Sequence, residues 1–509
     1  MLAKVSSGAV LGVDAYRVEV EVDLSNGVPN FSVVGLGDTA VQEAKERVRS
    51  AIKNSDYEFH PRRLTINLAP ANVKKEGPLF DLPIALGVLV ASEQIHAPHL
   101  DDFMIVGELS LDGAVRPVSG CLPIAIAAKE AGFRGVLVPA VNAREAALVE
   151  GLIVFAVETL SQAAAILSRP EAHDPVTLDR EELATVVVEL APDFSEVRGQ
   201  AQTKRALEIA AAGGHNIMLM GPPGSGKTML ARRLPGILPP LAFTEALEIT
   251  KLYSVAGLVP PQASLIAQRP FRSPHHSVSN AGLVGGTSIP RPGEISLAHH
   301  GVLFLDELPE FRRDIIELLR QPLEEGQVTI CRAQMTVTYP AQVTLVAAMN
   351  PCPCGYRGDS LKNCTCTPYA ADRYWSKLSG PLLDRIDIQV SVPRLNQEDL
   401  LGTDPAEPSS AIRERVIAAR ERQTQRFAGA TGVFCNAQMK NRQLRDHCQL
   451  DADSLQLLRH AITRLGLSGR SYDRILKVAR TIADLEGSEH LQPDHVAEAI
   501  QYRTLDRKS

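Results

Sequence analysis

The sequence predicts a multidomain α/β protein built around a parallel sheet. The chain has 509 residues, which is too many for one ordinary domain. Between residues 193 and 393, apolar strand segments alternate with helical segments, as they do in parallel sheets. A glycine-rich loop follows the first of these strands and precedes a helix, which is the position of a phosphate-binding loop.

Composition narrows the class of protein. Apolar residues make up 45% and charged residues 22% of the chain, which excludes disorder of the whole chain. No stretch approaches 18 uninterrupted apolar residues, and Met1–Ser6 shows no apolar core of a secretory signal, so we expect a cytoplasmic protein without membrane association. The formal net charge of −6 gives no global nucleic-acid signature, although a local basic surface is sufficient for binding.

Residues 1–169 are predicted to form a mixed α/β domain. Tyr16–Asp23 alternates apolar and polar residues, which predicts a half-buried strand. Asp38 or Thr39 can cap a helix that continues to Ile52. Further strands are predicted at Leu64–Leu68, Met104–Leu109, Val136–Val138 and Ile153–Val157, and helices at Pro83–Ser92, Leu122–Ala131 and Ala143–Leu148.

The rest of the chain divides into a linker and two further domains. Prolines and an acidic run predict a linker over residues 170–192. The α/β core follows over residues 193–393, with a helix at Gln200–Ala212 and a buried strand at Asn216–Met220. Asp404–Ser410 contains two prolines and marks a break, and residues 394–509 are predicted to be mainly helical.

The glycine-rich loop fits the pattern G-x-x-x-x-G-K-[ST]. Its glycines allow backbone N–H groups to surround phosphate oxygens, Lys227 can reach the β- and γ-phosphates, and Thr228 can bind Mg²⁺. An accidental match has odds on the order of a few per cent in a chain of this size. The predicted nucleotide-binding residues are Gly221, Pro222, Pro223, Gly224, Ser225, Gly226, Lys227, Thr228 and Asp306.

Two later strands end in polar residues that complete a nucleotide site. Gly301–Leu305 is followed by Asp306, placed to hold Mg²⁺, and by Glu307, placed to polarise the attacking water. Taken alone, two acids at a strand end are more often mere solvation of a loop, but they follow a phosphate loop here. Val343–Met349 ends in Asn350, whose amide can orient the same water.

Two arginine motifs lie further along the chain. Arg385 stands between two acids, either in a surface ion-pair cluster or as a finger on the γ-phosphate of a neighbouring subunit. Arg470 and Arg474 begin a predicted helix that ends at Leu485. Either could reach a nucleotide, and one of them could serve only the fold.

In order and spacing, Lys227, Asp306–Glu307, Asn350, Arg385 and Arg470 resemble the motifs of a AAA+ ATPase. The chain is most similar to the magnesium-chelatase-like branch, which also contains MCM-type helicases, and nearly all of it resembles the ComM/YifB family. This resemblance rests on the segments Phe271–His276, Pro292–His299, Asn350–Gly355, Ser468–Arg470 and Ala479–Leu485.

The resemblance implies a AAA+ core with inserted hairpins, a C-terminal helical lid, and ATP and Mg²⁺ as cofactors. It further implies an ATP-dependent homo-hexameric motor on single-stranded or branched DNA, a helicase that promotes branch migration during natural transformation. Arg385 would then be the finger acting in trans. Arg470 would be the arginine of the lid, and Arg474 is the poorer match.

The N-terminal domain resembles the Lon protease domain through Gly107–Gly113 and Val136–Pro139. Lon uses a serine nucleophile activated by a lysine. This chain has Leu79 where the serine would stand and Leu122 where the lysine would stand. Leucine can neither attack nor accept a proton, so we expect a proteolytically inactive domain.

Four of the eight cysteines, Cys352, Cys354, Cys364 and Cys366, lie within fifteen residues. Four thiolates suit a tetrahedral Zn²⁺ site, although C-x-C pairs are tighter than the usual C-x₂₋₄-C spacing. The alternative is four reduced cysteines in a family-specific loop. The residues alone leave both interpretations open.

DNA contacts are predicted at two insertions and one basic run. Insertions are expected at Ser254–Thr287 and Val328–Tyr339, with Arg272 in the first and Arg332 near the hairpin tip of the second. A solvated tip is the alternative for Arg332. From Arg413 to Arg445 there are eight basic and two acidic residues, which form either a phosphate-facing stripe or a solvated helix face.

Two other functions compete with the DNA motor. The first is a chelatase-type motor in a tetrapyrrole pathway, which the Lon-like domain disfavours. The second is a AAA+ protease or chaperone. Leu79 and Leu122 disfavour the protease, and the chaperone would need an exposed aromatic pore loop, for which Tyr253 and Tyr339 are weak candidates.

Overall fold

The computed structural model describes most of the chain. The described residues are 1–35, 39–71, 75, 77–178, 192–261, 263–286, 290–332, 335–359, 361–395, 406–429 and 432–503. Residues 179–191 of the predicted linker at 170–192 lie outside the described residues. So do residues 404 and 405 of the predicted break at 404–410.

The described residues between 2 and 168 form two sheets, a small strand pair and five α-helices. The strands are β1 (Leu2–Leu11), β2 (Asp14–Ser25), β3 (Asn30–Val34), β4 (Arg63–Ala69), β5 (Phe103–Ile105), β6 (Glu108–Leu109), β7 (Val115–Arg116), β8 (Gly135–Pro139) and β9 (Ile153–Val157). The helices are α1 (Thr39–Asn54), α2 (Asp81–Ala91), α3 (Cys121–Glu130), α4 (Ala143–Ala146) and α5 (Leu160–Ser168). One sheet has the order β1-β2-β4-β3, and the other is the parallel sheet β5-β8-β9.

Alternation along β2 decides which face of the first sheet is buried. Val18, Val20, Val22 and Leu24 point to the core, and the polar residues between them are half-buried at the other face. Helix α2 packs on β1 and β2, and it is buried nearly all round because α1 covers its other side.

The N-terminal domain contains a buried carboxylate, that of Asp81. The carboxylate of Asp81 is 1% exposed and accepts from Arg47 Nε at 2.6 Å and from Arg47 Nη2 at 3.1 Å. The backbone N–H of Leu109 donates to the same group at 3.3 Å. Burial raises the pKa of Asp81 to about 6 even though Arg47 favours its ionised form.

The central part of the chain forms a five-stranded parallel sheet. Its strands are β10 (Ile217–Met220), β11 (Phe271–Arg272), β12 (Val302–Leu305), β15 (Thr344–Met349) and β16 (Ile388–Ser391), in the order β11-β12-β15-β10-β16. The helices of this part are α6 (Ala201–Gly213), α7 (Lys227–Ile237), α8 (Phe243–Ala256), α9 (Asn280–Val284), α10 (Glu294–Leu297), α11 (Arg313–Leu318), α12 (Arg320–Glu325), α13 (Pro368–Trp375) and α14 (Gly380–Leu383).

Both faces of this sheet are covered. Ile217 and Leu219 of β10 belong to one apolar cluster, whereas Met218 and Met220 belong to the cluster on the opposite face. Strands buried on both faces are continuously apolar, which is why these segments show no alternation in the sequence. The predicted parallel-sheet core is therefore confirmed.

One of the two predicted insertions has the expected form. Strands β13 (Gln327–Arg332) and β14 (Met335–Pro340) form an antiparallel pair in which Arg332 pairs with Met335. The segment 254–287 differs from the prediction, because β11 within it is an edge strand of the main sheet. Phe271 stacks on Phe304 with ring centroids 5.8 Å apart, and this packing fixes β11 against β12.

Beyond residue 406, the described part of the chain is helical. It contains α15 (Ser409–Arg426), α16 (Asn441–His447), α17 (Ala452–Leu465), α18 (Gly469–Leu485) and α19 (Pro493–Gln501). Helix α15 packs against α6, α7 and α18, so it joins the helical part to the core. None of the described helices is long and apolar enough to cross a membrane.

The part of the basic run from Arg413 to Arg426 lies on α15, where Arg413 and Arg422 are exposed, and its role in DNA binding stays a prediction. Its arginines donate to groups of the core and of neighbouring helices. The pairs are Arg413 with Gly236 O, Arg415 with Glu208, Arg420 with Ala211 O, Arg422 with Asp484 O, and Arg426 with Asp484. These contacts hold the helical part on the core, which the sequence did not predict.

Replacing Arg47 with Ala should destabilise the N-terminal domain, because it leaves the buried carboxylate of Asp81 without its charged partner. The expected loss is about 3 kcal/mol in the free energy of unfolding at pH 7.5, measured by thermal denaturation. The pKa of Asp81 is about 6, above that of a free carboxyl, so its protonated form is the one that the fold favours. Lowering the pH to 5 neutralises the group and should shrink the loss.

Arg49→Ala is the matched control, since Arg49 is exposed on the same helix. The control should unfold like the parent. Equal stability of Arg47→Ala and Arg49→Ala at pH 7.5 would contradict the importance of the ion pair.

Candidate nucleotide-binding site

The carboxyl ends of three adjacent strands meet at one edge of the central sheet. Strand β10 leads into the loop Gly221–Thr228, β12 leads into Asp306 and Glu307, and β15 leads into Asn350. Because the three strands are parallel neighbours, these side chains are brought together across more than 120 residues of sequence.

The loop holds its shape through glycines that no larger residue can replace. A Cβ on Gly221 would lie 2.2 Å from the carbonyl oxygen of Val392. Gly226 has φ +89° and stands directly before α7, so the backbone turns from the loop into the helix at a left-handed residue. The N-terminus of α7 points its free N–H groups at this loop, as anion-binding helices do.

Lys227 is held at the mouth of the loop. Its Nζ donates to the carbonyl oxygens of Gly221 at 2.8 Å and Pro222 at 3.0 Å, and to Asn350 Oδ1 at 3.3 Å. Burial lowers the pKa of Lys227, while Asp306 and Glu307 act in the opposite direction. The cation is therefore placed beside the loop by three oxygens, which are the kind of partner that a phosphate would offer.

Thr228 and Asp306 form the pair that would hold Mg²⁺. The hydroxyl of Thr228 donates to Asp306 Oδ2 at 2.6 Å, so the two oxygen ligands lie side by side. The other oxygen of Asp306 accepts the backbone N–H of Glu307 at 2.9 Å, which fixes the orientation of the carboxylate. Hydroxyl and carboxylate oxygens are the ligands that Mg²⁺ prefers, so the residues fit this ion.

Glu307 lies in an uncommon backbone conformation. Its φ is +53°, which few residues other than glycine adopt, and such strain often lies at functional sites. Its carboxylate is exposed, and its Oε2 lies 3.9 Å from His276 Nδ1. Sequence reasoning singled out His276 within the segment Phe271–His276 and did not predict this neighbour, because only the sheet order brings the two together.

Asn350 lies between Lys227 and Tyr374 of α13. Its side-chain Oδ1 accepts from Lys227 Nζ at 3.3 Å, and its backbone opposes the rise in the pKa of the Tyr374 hydroxyl. Burial raises the pKa of Tyr374 to about 12, so this hydroxyl stays protonated at neutral pH. The amide predicted to orient water thus lies beside the phosphate loop.

Arg385 and Arg470 lie at the opposite edge of the sheet. Asn216, which precedes β10, donates from Nδ2 to the carbonyl oxygen of Arg385 at 2.9 Å, and Arg385 itself precedes β16. Arg470 Nη1 lies 3.4 Å from Asp384 Oδ2, next to Arg385 in the chain. A four-residue strand spans about 13 Å, so both arginines are separated from their own phosphate loop by the length of the sheet.

The two arginines differ in their freedom. The guanidinium of Arg385 forms an ion pair with Glu324 and donates to the carbonyl oxygen of Pro381 at 2.8 Å. The side chain of Arg470 is 68% exposed. Arg474, the third arginine candidate, is tied to Asp387 by an Nη1–Oδ1 contact of 2.8 Å and serves the fold.

A buried polar cluster around Asp387 was not predicted from the sequence. His215 lies 3.2 Å from Asp387 Oδ2 through Nδ1 and 2.8 Å from the Thr481 hydroxyl through Nε2. Burial opposes ionisation of Asp387, but Arg474 and His215 hold its pKa well below the ordinary value. This cluster joins the core to α18 of the helical part.

The four clustered cysteines converge in space. The Sγ atoms of Cys352, Cys354 and Cys364 lie 3.4 to 3.7 Å apart, and Cys366 Sγ accepts the N–H of Cys354 at 3.3 Å. All four sulfur atoms lie within 4.8 Å of one another.

A second group, Glu248, His299 and His300, has comparable spacing but different chemistry. His299 Nδ1 accepts the N–H of Gln342 at 3.0 Å, so its proton is on Nε2, which donates to Glu248 Oε2 at 3.0 Å. A metal at Nε2 would require a proton on Nδ1, facing another N–H. This group is therefore a hydrogen-bonded cluster.

The two predicted DNA residues both have partners within the chain. Arg272 forms a bidentate ion pair with Glu294, at 2.6 and 2.7 Å. Arg332 is exposed at the end of β13, and its Nη2 donates to the carbonyl oxygen of Gly286 at 2.6 Å. Their roles in DNA binding stay predictions.

The residues at the two Lon dyad positions are part of the apolar core. Leu79 is 9% exposed and Leu122 is fully buried. The backbone N–H of Leu122 lies 3.4 Å from the hydroxyl of Ser254 on α8, which packs on α3. The two aromatic candidates for a pore loop are also enclosed, since the Tyr339 and Tyr253 hydroxyls donate to the carbonyl oxygens of Pro290 and Leu297.

Comparison with known proteins agrees with this architecture. The family profile described as magnesium chelatase, subunit ChlI, matches residues 193–400. Two related ChlI profiles match residues 20–142 and 406–503. An uncharacterised protein named YifB from Salmonella typhimurium is 46% identical over 99% of this chain and 98% of its own length.

Competence protein ComM of Haemophilus influenzae is 45% identical, again over 99% of this chain and 98% of its own length. The chain belongs to the ComM/YifB family. The magnesium-chelatase 38 kDa subunit of Rhodobacter capsulatus is more distant, at 25% identity over 60% of this chain and 84% of its own. Membership of this magnesium-chelatase-like AAA+ family implies ATPase activity with Mg²⁺.

Replacing Lys227 with Ala should weaken ATP binding by roughly ten- to a hundredfold, because a charge-assisted contact to phosphate is lost. The dissociation constant for a fluorescent ATP analogue measures this. Arg232→Ala, at an exposed position on the same helix, is the control and should bind like the parent. Unchanged affinity in Lys227→Ala would sink the assignment of the loop.

Proposed function

We propose that this protein is an ATP-driven, ring-forming DNA motor that promotes branch migration of incoming DNA during natural transformation. Acting as a homo-hexamer in the cytoplasm, it would use ATP and Mg²⁺, with Zn²⁺ at the cysteine cluster. The observation that carries the ATPase part is the convergence of Lys227, Thr228, Asp306, Glu307 and Asn350 at one sheet edge.

Each residue of this edge has a defined task in the proposal. The loop amides and Lys227 bind the phosphates, and Thr228 with Asp306 holds Mg²⁺, which neutralises charge on the phosphates. Glu307 accepts a proton from the attacking water, and Asn350 orients that water. Glu307 is exposed and unprotected by the fold, so its carboxylate is accessible to a water molecule at the γ-phosphate position.

The arginines support a ring. Arg385 and Arg470 lie at the edge of the sheet away from their own phosphate loop, so neither can serve it within one subunit. A neighbouring subunit that places its phosphate loop against this edge would receive both. Hydrolysis then depends on assembly, since the charge that stabilises the transition state comes from the next subunit.

The proposal that DNA is the substrate rests on a similar protein and on strands β13 and β14. The similar Haemophilus protein is named for competence, which is the uptake of DNA. Arg332 lies exposed at the end of β13, where its guanidinium can bind phosphate without reading sequence. A chelatase-type motor acting on a protein partner is the alternative, favoured by the likeness to the 38 kDa chelatase subunit.

The first test is ATP hydrolysis with and without forked or four-way-junction DNA. The DNA motor predicts strong stimulation that is lost in Glu307→Gln, because the amide cannot accept the proton of water. Arg332→Ala should reduce the stimulation and leave the basal rate intact. A rate of ATP hydrolysis that does not change when DNA is added would contradict the proposal and favour the chelatase-type alternative.

A second test asks whether Arg385 acts between subunits. Arg385→Ala alone and Lys227→Ala alone should each lose roughly a thousandfold in turnover, given what such fingers contribute elsewhere. Mixing the two variants should restore part of the activity, because some interfaces then pair an intact loop with an intact Arg385. No recovery in a mixture shown to co-assemble would argue against action in trans.

A further inference from the structure

The four-cysteine cluster has the geometry of a binding site for a single metal ion. Three of its sulfur–sulfur distances are 3.4, 3.7 and 3.6 Å, for the pairs 352–354, 352–364 and 354–364. Four sulfurs around Zn²⁺ at about 2.3 Å form a tetrahedron with edges of about 3.8 Å. A [4Fe–4S] cluster binds each thiolate to a different iron, and a [2Fe–2S] cluster divides the four thiolates between two irons. Both clusters therefore hold thiolate sulfurs on different irons further apart.

The loop that carries these cysteines has no core of its own. Among the described residues of 353–370, Gly355 is the one that is buried. Leu361 and Tyr369 are about three-quarters exposed, at 74% and 75%. A segment without apolar burial needs a cross-link to hold one conformation, and a structural metal supplies one.

The other cysteines show what an ordinary cysteine looks like in this protein. Cys121 and Cys448 are each buried within an apolar cluster, Cys435 is also buried, and Cys331 is exposed on β13. Four thiols that converge from the two ends of one exposed loop have no such packing reason. The N–H of Cys354 donates to Cys366 Sγ, which is the kind of second contact that orients a metal-bound thiolate.

We propose that Cys352, Cys354, Cys364 and Cys366 bind one Zn²⁺ ion, and that this ion braces the nucleotide site. The first cysteine pair continues from β15 directly after Asn350, and the second leads into α13. The ion therefore closes the loop 352–366 and ties the end of β15 to the start of α13. This role rests on the ATPase activity proposed above.

Two contacts carry the brace to the phosphate loop. Gly355 lies so close to Pro223 that a Cβ on it would stand 2.6 Å from Pro223 Cδ, so the cysteine loop forms a wall of the phosphate loop. Trp375 on α13 donates from its indole N–H to the carbonyl oxygen of Pro351 at 3.1 Å, beside Asn350. Loss of the ion would loosen Asn350 and this wall together.

The test begins with the metal itself. The full-length protein is purified from zinc-containing medium without a metal-affinity tag, and its zinc is measured by mass spectrometry. We expect about one zinc per chain in the parent and in Cys331→Ser, and less than about a fifth of that in the double variant Cys364→Ser/Cys366→Ser. A parent without zinc, or a double variant that retains it, overturns the proposal.

Cobalt provides a readout that does not depend on variants. Parent protein stripped of zinc and titrated with Co²⁺ should develop the visible absorption and the thiolate charge-transfer band of a tetrahedral four-sulfur site. The titration should end at one equivalent. A spectrum without thiolate charge transfer overturns the site even if the double variant fails to fold.

The bracing role has its own measurement. Removal of zinc from the parent should lower the turnover number for ATP by about tenfold or more, the size of effect that supporting contacts have, with ATP affinity changed less than threefold. Zinc added back should restore the rate. An unchanged turnover number for ATP in zinc-free protein would overturn the proposal that the ion supports the nucleotide site.

The failures remain distinguishable. An enzyme that holds one zinc but hydrolyses no ATP contradicts the proposed function and leaves the metal site standing. An active ATPase that holds no zinc does the reverse.

Discussion

Parallel pairing of β10, β12 and β15 is the constraint on which the rest of the structure depends. Each strand ends where its polar residues begin, so in-register pairing collects the phosphate loop, Asp306 and Asn350 at one edge. The contacts of Lys227 with Asn350 and of Thr228 with Asp306 exist only because of this register. A shift of one residue would reverse every side chain between the two faces of the sheet and separate these pairs.

The same sheet separates two arginines from the phosphate loop. Groups at the amino edge, Arg385 and Arg470, are kept from the carboxyl edge by the length of the strands. The buried cluster of His215, Asp387 and Thr481 fixes the helical part to that amino edge. Rotation of the helical part against the core would have to break charged contacts in a low-dielectric site, which is costly. The helical part and the two arginines are therefore held together at the amino edge of the sheet.

The N-terminal domain is joined to the core through α8. The backbone N–H of Gly120 donates to the carbonyl oxygen of Ser254 at 2.9 Å, and Lys251 forms an ion pair with Asp14 at 3.0 Å. Ala246 and Leu265 of the core contribute to the apolar cluster of the N-terminal domain. The position of Leu122, where the resemblance to Lon proteases predicts the lysine, is thus covered by the protein's own helix.

The sequence by itself determined the elements and the chemistry of the nucleotide site. Lys227, Asp306 and Asn350 were found because short-range order, strand before loop before helix, is set by local residue patterns. It also exposed the four clustered cysteines, but it left metal and free thiols equally open, because spacing along a chain does not give distances between sulfurs. Only the tertiary structure decided three other features. It separates Arg385 and Arg470 from their own loop, it brings His276 to Glu307, and it uses the arginines of α15 to hold the helical part. Each of these pairs residues far apart in sequence, and such contacts follow from strand order and helix docking, which no local pattern encodes.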